Sequence, residues 1–380
     1  MKKMQKLIGI ILALLVVFSG MGVCGAVAAA EPAQELSVMV ESDEDEAAAN
    51  GLISFFQELI AKIKKALLIL VGKISILLDG NYSRVDYSVF SSDAFEIPGL
   101  DEGFVPQGIC YAQSLDSFII SGYIKGDNSR LYLVDENTGV IKKLILKDFT
   151  KHAGGVASYG DSVWVCAGGN ESEGGFVYHL SASVLEKAPD GEEIEFDGSF
   201  QTQVRASALC CDGERLYVAE FYEKDDYPVD PDHSFADNKA WAVGYELPIA
   251  EGEYDGSEKT PDIILSVPEK VQGMSVTGEG NVVFSTSYGR FYDSTLHVYE
   301  SLDSWTQVDT VIGDETVKLY VADGSSLISK VKMPTLMEGV DVCGNTLYAV
   351  FESGAQAYSD AKEIHTTVKA IDINSLIDAI

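Results

Sequence analysis

Five positions in this 380-residue chain set a polar side chain at or just before a small residue, and those polar groups are where chemistry can be sought. Gln107, Gln272 and Glu338 directly precede Gly108, Gly273 and Gly339, while His152 and Arg205 stand three residues before Gly155 and Ala208. A carboxyl, an imidazole and a guanidinium brought to one place can move a proton and hold negative charge. Glu338 with His152 and Arg205 is therefore the candidate catalytic set of a hydrolase or lyase acting on a lactone or a glycoside. Glu338 with Glu220 or Glu352 offers a two-carboxyl alternative, whose chemistry depends on their separation. The sequence has no G-x-S-x-G turn to carry a serine nucleophile.

Each small residue also opens a β-like run, and a second such run begins eight to ten residues later. Adjacent runs of this kind pair antiparallel, so the end of the second returns to the start of the first. The ends in question carry Tyr123, Glu220, Tyr222, Tyr288, Arg290 and Glu352. Together with Gln107 and Gln272 they form a candidate ligand-binding set around one funnel. Aromatic walls with a few convergent polar groups suit a polar, ring-containing ligand of carbohydrate type. The alternatives are the hydrolase or lyase above and a cell-surface module that binds another protein.

The elements that must position these side chains are strands. From about residue 84 onward, short runs rich in Val, Ile, Tyr, Phe and Thr alternate with Gly, Asp, Asn and Ser turns. Helical periodicity there is confined to short segments near 182–185 and 373–380. The small residues at 108, 155, 208, 273 and 339 are 47, 53, 65 and 66 residues apart. A four-stranded unit of that period, lengthened in places by loops, is a propeller blade. The expected fold is all-β, a five-bladed β-propeller over 84–380, with six blades as the alternative if 86–98 forms an extra one. Glycine or alanine recurs at the start of each inner strand because five backbones converge there. The last blade lacks an outer strand, and residues 85–90 are expected to supply it and close the ring, removing two exposed sheet edges.

Residues 1–30 read as a secretory signal, with Lys2, Lys3 and Lys6 before the apolar stretch 7–17 and small residues at 26–30. An acidic linker over 31–50 and an amphipathic helix over 51–80 follow. The helix carries apolar residues at three- and four-residue steps, interrupted by Lys62, Lys64, Lys65 and Lys73. It either packs on the main domain or contacts a membrane, an envelope or a partner through residues 51–79. A net charge of −32 repels nucleic acid and anionic lipid and suits a secreted or envelope-associated monomer. Cys110, Cys166, Cys210, Cys211 and Cys343 fall in strands with no metal-type spacing and read as small buried hydrophobes, though adjacent Cys210 and Cys211 could also bond to each other. No cofactor is called for, but calcium has two candidate sites: Glu338 with Asn170 and Asp341, and the acidic loop 223–240 with Asp225, Asp226, Asp230, Asp232 and Asp237.

The blade phrases Val271-Gln272-Gly273 with Ser287-Tyr288-Gly289-Arg290, and Met337-Glu338-Gly339 with Phe351-Glu352-Ser353-Gly354, resemble those of exported bacterial propellers related to gluconolactonases and strictosidine-synthase-like proteins. The resemblance covers roughly 84–375 and looks like that of an uncharacterised secreted subgroup. It implies a propeller and, for the lactonases, a divalent metal held by a glutamate on the first inner strand. The matching position here is Gln107.

Overall fold

The computed structural model describes residues 82, 83, 85–168 and 174–379, together with 54, 55, 57–60, 62, 63 and 66. The signal, the acidic linker and Asn170 lie outside the described residues. The chain divides into two units, Met1–Leu67 and Leu68–Ile380. In the first, the described residues are helical, with Lys62 donating to Glu58 at 2.7 Å, and Phe55, Leu59, Ile60 and Ile63 are exposed. Among the described residues, no helix is long and apolar enough to cross a membrane.

In the second unit the β-rich sequence folds into five antiparallel blades. Blade I runs Phe104–Ala112, Ser117–Ile124, Arg130–Asp135 and Gly139–Leu146 from the centre outward. Its last turn forms because the Asp135 carboxylate accepts from the backbone N–H of Asn137 and Thr138, and Gly139 takes a φ of +86°. Blade II is Val156–Tyr159, Ser162–Ala167, Gly175–Ser181 and Gly198–Thr202. Blade III is Ala206–Cys211, Arg215–Glu220, Ala240–Glu246 and Ile263–Val267, and blade IV is Val271–Val276, Asn281–Thr286, Ser294–Ser301 and Leu327–Met333. Blade V is Met337–Cys343, Thr346–Phe351 and Thr367–Asp372, completed by Ser91–Glu96 from the start of the unit. The ring therefore closes by pairing its two ends, but with 91–96 and not with 85–90. Tyr87–Val89 turns as a single 3₁₀ segment because the Asp86 side chain accepts from Ser88 N. Residues 86–98 make no sixth blade.

Three insertions between a third and an outer strand reach back to the preceding blade. Glu193–Ile194 pairs parallel with the outer strand of blade I, and Asp255–Glu258 pairs parallel with that of blade II. The hairpin Thr306–Ile312 and Glu315–Val321 adds its second strand parallel to that of blade III. These insertions, with the rim loops, account for the uneven spacing of the repeat. Short helices form at Ala182–Lys187 and Ile373–Ile377, the two segments with helical periodicity.

Apolar residues on facing sheets pack between the blades, and at the ring's centre there is room only for backbone. A Cβ added to Gly155 would lie 2.2 Å from Leu209 N, and one on Gly339 2.7 Å from Gly108 Cα. The five described cysteines are free: alternation sends Cys210 into the packing between blades III and IV and Cys211 to the opposite sheet face, so the adjacent pair is not bonded.

Candidate functional site

The inner strands begin, and the second strands end, at one rim, where a cavity of about 540 Å³ opens. Strand starts contribute Gln107, Lys151, His152, Arg205, Gln272 and Leu336. The end of the second strand of blade I contributes Tyr123, and the segments after the other second strands contribute Phe221, Tyr227, Tyr288, Arg290, Glu352 and Tyr358. Below it the throat is lined by Gly108, Gly155, Ala208, Gly273 and Gly339 with their neighbours and leaves no space for water. The site is a funnel with a sealed floor.

Aromatic rings make its walls. Tyr123 and His152 lie parallel, with centroids 3.6 Å apart and planes within 3°. Partial loss of water from the stacked imidazole lowers its pKa and favours the neutral ring. Tyr227 stands edge-on to Phe221 at 5.2 Å and to Tyr288 at 6.4 Å, and the Tyr288 hydroxyl donates to Asp226. The Arg205 guanidinium sits 5.3 Å over the Tyr227 ring, and that of Arg290 sits 4.7 Å over the Tyr358 ring while pairing with Asp360.

A carboxyl pair lies at the floor. Glu352 lines the cavity and accepts from Gln107 Nε2 at 3.1 Å. Glu338 lies behind it, 2% exposed and hydrogen-bonded to it, with Oε1 left without a partner. Burial pushes the Glu352 carboxyl up to about 7. Burial and the neighbouring Glu352 charge push Glu338 well above the usual carboxylate range. The pair shares a proton, and its two sites titrate together. Tyr358 and Tyr123, hydrogen-bonded to each other and with Tyr358 bonded to Glu352, continue this network toward His152.

Of the residues singled out by sequence, Gln107, Tyr123, His152, Arg205, Gln272, Tyr288, Arg290 and Glu352 meet at this cavity. Glu338 joins them from behind, and its direct partner is Glu352, not His152 or Arg205. Glu220 and Tyr222 are not part of the lining. The Glu220 carboxylate is 1% exposed and accepts from His233 Nδ1 and Trp241 N, both at 2.8 Å, while Tyr222 packs against the core between blades III and IV. Residues two apart share a side, so when 220 and 222 turn inward it is Phe221 that faces the cavity. Lys151, Phe221, Tyr227, Leu336 and Tyr358 went unread. Tyr227 lies in a loop dominated by acidic residues, and Tyr358 lies seven residues past the end of the strand Thr346–Phe351, where no strand pattern points to the rim.

The donor set does not fit a metal. Among the described residues, no group of three or more His, Cys, Asp or Glu side chains is placed to hold one. Gln107 turns its amide nitrogen toward the Glu352 carboxyl, at 3.1 Å. Asp341 accepts from Tyr111 N at 2.7 Å and Ser275 Oγ at 3.2 Å, tying neighbouring inner strands together. In the loop 223–240, Glu223 and Asp230 accept from nearby backbone N–H groups as turn caps.

No family model matches the chain, and no curated protein is similar to it. Among solved structures, a glucose dehydrogenase superposes with a TM-score of 0.40 at 11% identity, over 74% of this chain and 99% of that one. A PQQ-bound aldose sugar dehydrogenase from Streptomyces coelicolor gives 0.36 at 11%, over 74% and 96%. The soluble aldose sugar dehydrogenase of Escherichia coli gives 0.35 at 10%, over 74% and 98%. Likeness at this level carries nothing about ligand or reaction.

Proposed function

We propose that the cavity binds a polar, carbohydrate-like small molecule. The observation that carries this reading is the convergence, around one open cavity of about 540 Å³, of side chains from all five blades: aromatic walls, two amides and charged groups above a sealed throat. A volume of this order suits a sugar of one or two rings. The test is a thermal-shift screen of mono- and oligosaccharides against the full chain, with Tyr288→Ala alongside. A ligand that raises the wild-type midpoint and not that of the variant supports the reading; a panel without any shift counts against it.

A second reading, a hydrolase or lyase, is favoured by the carboxyl pair. A Glu352 carboxyl that keeps its proton near neutral pH can donate it to a leaving or carbonyl oxygen of a molecule in the cavity. The two carboxyls touch, so they cannot flank a scissile bond in the way glycosidase pairs do. Glu352 with Glu338 behind it is thus the acid of this reading, with His152 and Arg205 as substrate contacts. Turnover on lactone and glycoside panels tests it, with Glu352→Gln and Glu338→Gln expected to abolish any activity found.

Export also belongs to this proposal, as does kinship with gluconolactonase-like propellers in blade grammar without their metal chemistry. The leader-like residues 1–30 motivate it, and N-terminal sequencing of protein recovered outside the cell tests it. The exposed apolar residues Phe55, Leu59, Ile60 and Ile63 support an envelope or partner contact for the helix; unchanged localisation on its deletion would sink that idea.

A further inference from the structure

The cavity inverts the charge of the chain that forms it. The protein has 59 acidic residues against 27 lysines and arginines. Among the described residues of the lining, however, the cations are Lys151, Arg205 and Arg290, and the one acid is Glu352. Glu352 answers little of that positive charge, because its ionised form is the one its burial disfavours. Arg290 is matched by Asp360. Among the described residues, Lys151 donates to a phenol, Tyr178 Oη, at 3.2 Å, and lies 5.1 Å over the Phe176 ring. Arg205 lies over Tyr227 and, among the described residues, belongs to no ion pair. Among the described residues, two cations thus face the cavity with aromatic neighbours and no ion-pair partner.

We infer that the ligand is an anionic sugar, a polyhydroxylated ring bearing a carboxylate or a phosphate, with its anion held by Arg205 and Lys151; this rests on the binding role proposed above. Guanidinium is the side chain best shaped for a bidentate contact to either anion. The amides of Gln107 and Gln272 offer both donors and acceptors to ring hydroxyls. The Tyr123–His152 stack and Tyr288 give the ring apolar surface on which its C–H face can rest. A bare inorganic anion would leave the aromatic walls unused, and a neutral sugar would leave the two cations unanswered.

The test is calorimetric titration of the full chain at pH 7 and 0.15 M salt with glucuronate, glucose 6-phosphate, glucose and inorganic phosphate. At least one anionic sugar is expected to bind tenfold or more tightly than glucose, and the tighter of the two identifies the anion. Arg205→Ala should erase that preference. Lys151→Ala, at an exposed position, should reduce the preference in the same direction and serves if the Arg205 variant does not fold. Glucose binding as tightly as both anions, or a preference untouched by either substitution, overturns the anion and leaves the binding proposal standing. Inorganic phosphate binding as tightly as glucose 6-phosphate overturns the sugar. Silence from all four probes overturns this inference together with the binding proposal.

Discussion

Glu338 and Glu352 stand carboxyl to carboxyl beneath the funnel, both withdrawn from water and hydrogen-bonded to each other. Two such groups cannot both ionise cheaply, and the folded state keeps a proton that the unfolded chain releases near 4.5. The folded protein then binds more protons than the unfolded chain between about 4.5 and 7, so this pair's contribution to stability is lost as pH rises through that window. Glu338→Gln keeps a hydrogen-bonding partner for Glu352 and removes one of the two coupled carboxyls and its repulsion. Denaturant unfolding should find the variant more stable than wild type by on the order of 2 kcal/mol at pH 8, with the gap closing by pH 5. Parallel stability–pH curves for the two proteins would contradict the shared proton.

The throat gives a steric prediction. A methyl on Gly155 meets the Leu209 backbone nitrogen at 2.2 Å, and no side-chain rotation relieves a clash with backbone. Gly155→Ala should cost about 3 kcal/mol or prevent folding, while Ala208→Gly at the corresponding position of blade III should cost about 1 kcal/mol. The urea midpoints of the two variants measure the contrast.

Glu220 holds blade III and not a ligand. Glu220→Ala leaves the buried Trp241 N–H and His233 Nδ1 without their acceptor, at a cost of about 2–3 kcal/mol, and should leave ligand affinity unchanged. Glu220→Gln keeps an acceptor oxygen and should cost less. Unfolding curves and ligand titrations on both variants check this, and weakened binding at unchanged stability would return Glu220 to the site.

Closure predicts the effect of a deletion. Ser91, Ser92 and Asp93 pair with Ile371, Ala370 and Lys369, and the Asp93 carboxylate also accepts from Lys369 Nζ at 2.6 Å. Removing 85–96 bares the strand Thr367–Asp372 as a sheet edge. Size-exclusion chromatography should show dimers or aggregates, and a peptide spanning 91–96 should partly restore the monomer by strand addition. A monodisperse deletion variant would speak against an end-to-end closure.

What was legible in the sequence follows from which contacts have a local signature. The inner strands were readable because crowding at the centre allows only Gly or Ala there, and the first two strands of each blade are consecutive and apolar. The added strands were not. Asp255–Glu258 is fully exposed and polar, Glu193–Ile194 is two residues long, and both find their partners in a neighbouring blade. The closing strand was placed one element too early because 85–90 has the β-like composition, while an Asp cap turns it. At the site, eight of the named side chains reach the lining because they stand at or beside strand ends that meet at one rim, while the side-to-side alternation past the end of Arg215–Glu220 turns Glu220 and Tyr222 away. Tyr227 and Tyr358 come from loops whose path only the folded chain reveals.

The back-reaching insertions have a consequence for how the ring comes apart. Those of blades II, III and IV each cross to the blade before, and Ser83 N donates to Lys330 O at 2.8 Å before the chain passes on into blade V. Four of the five blade junctions are thus crossed by backbone a second time, beyond the link that simply continues the chain. In open repeat arrays, units can melt one by one from an end. Here no blade from I to IV can leave without stripping a strand or an anchoring contact from its neighbour, so the cooperative unit of unfolding is the whole ring.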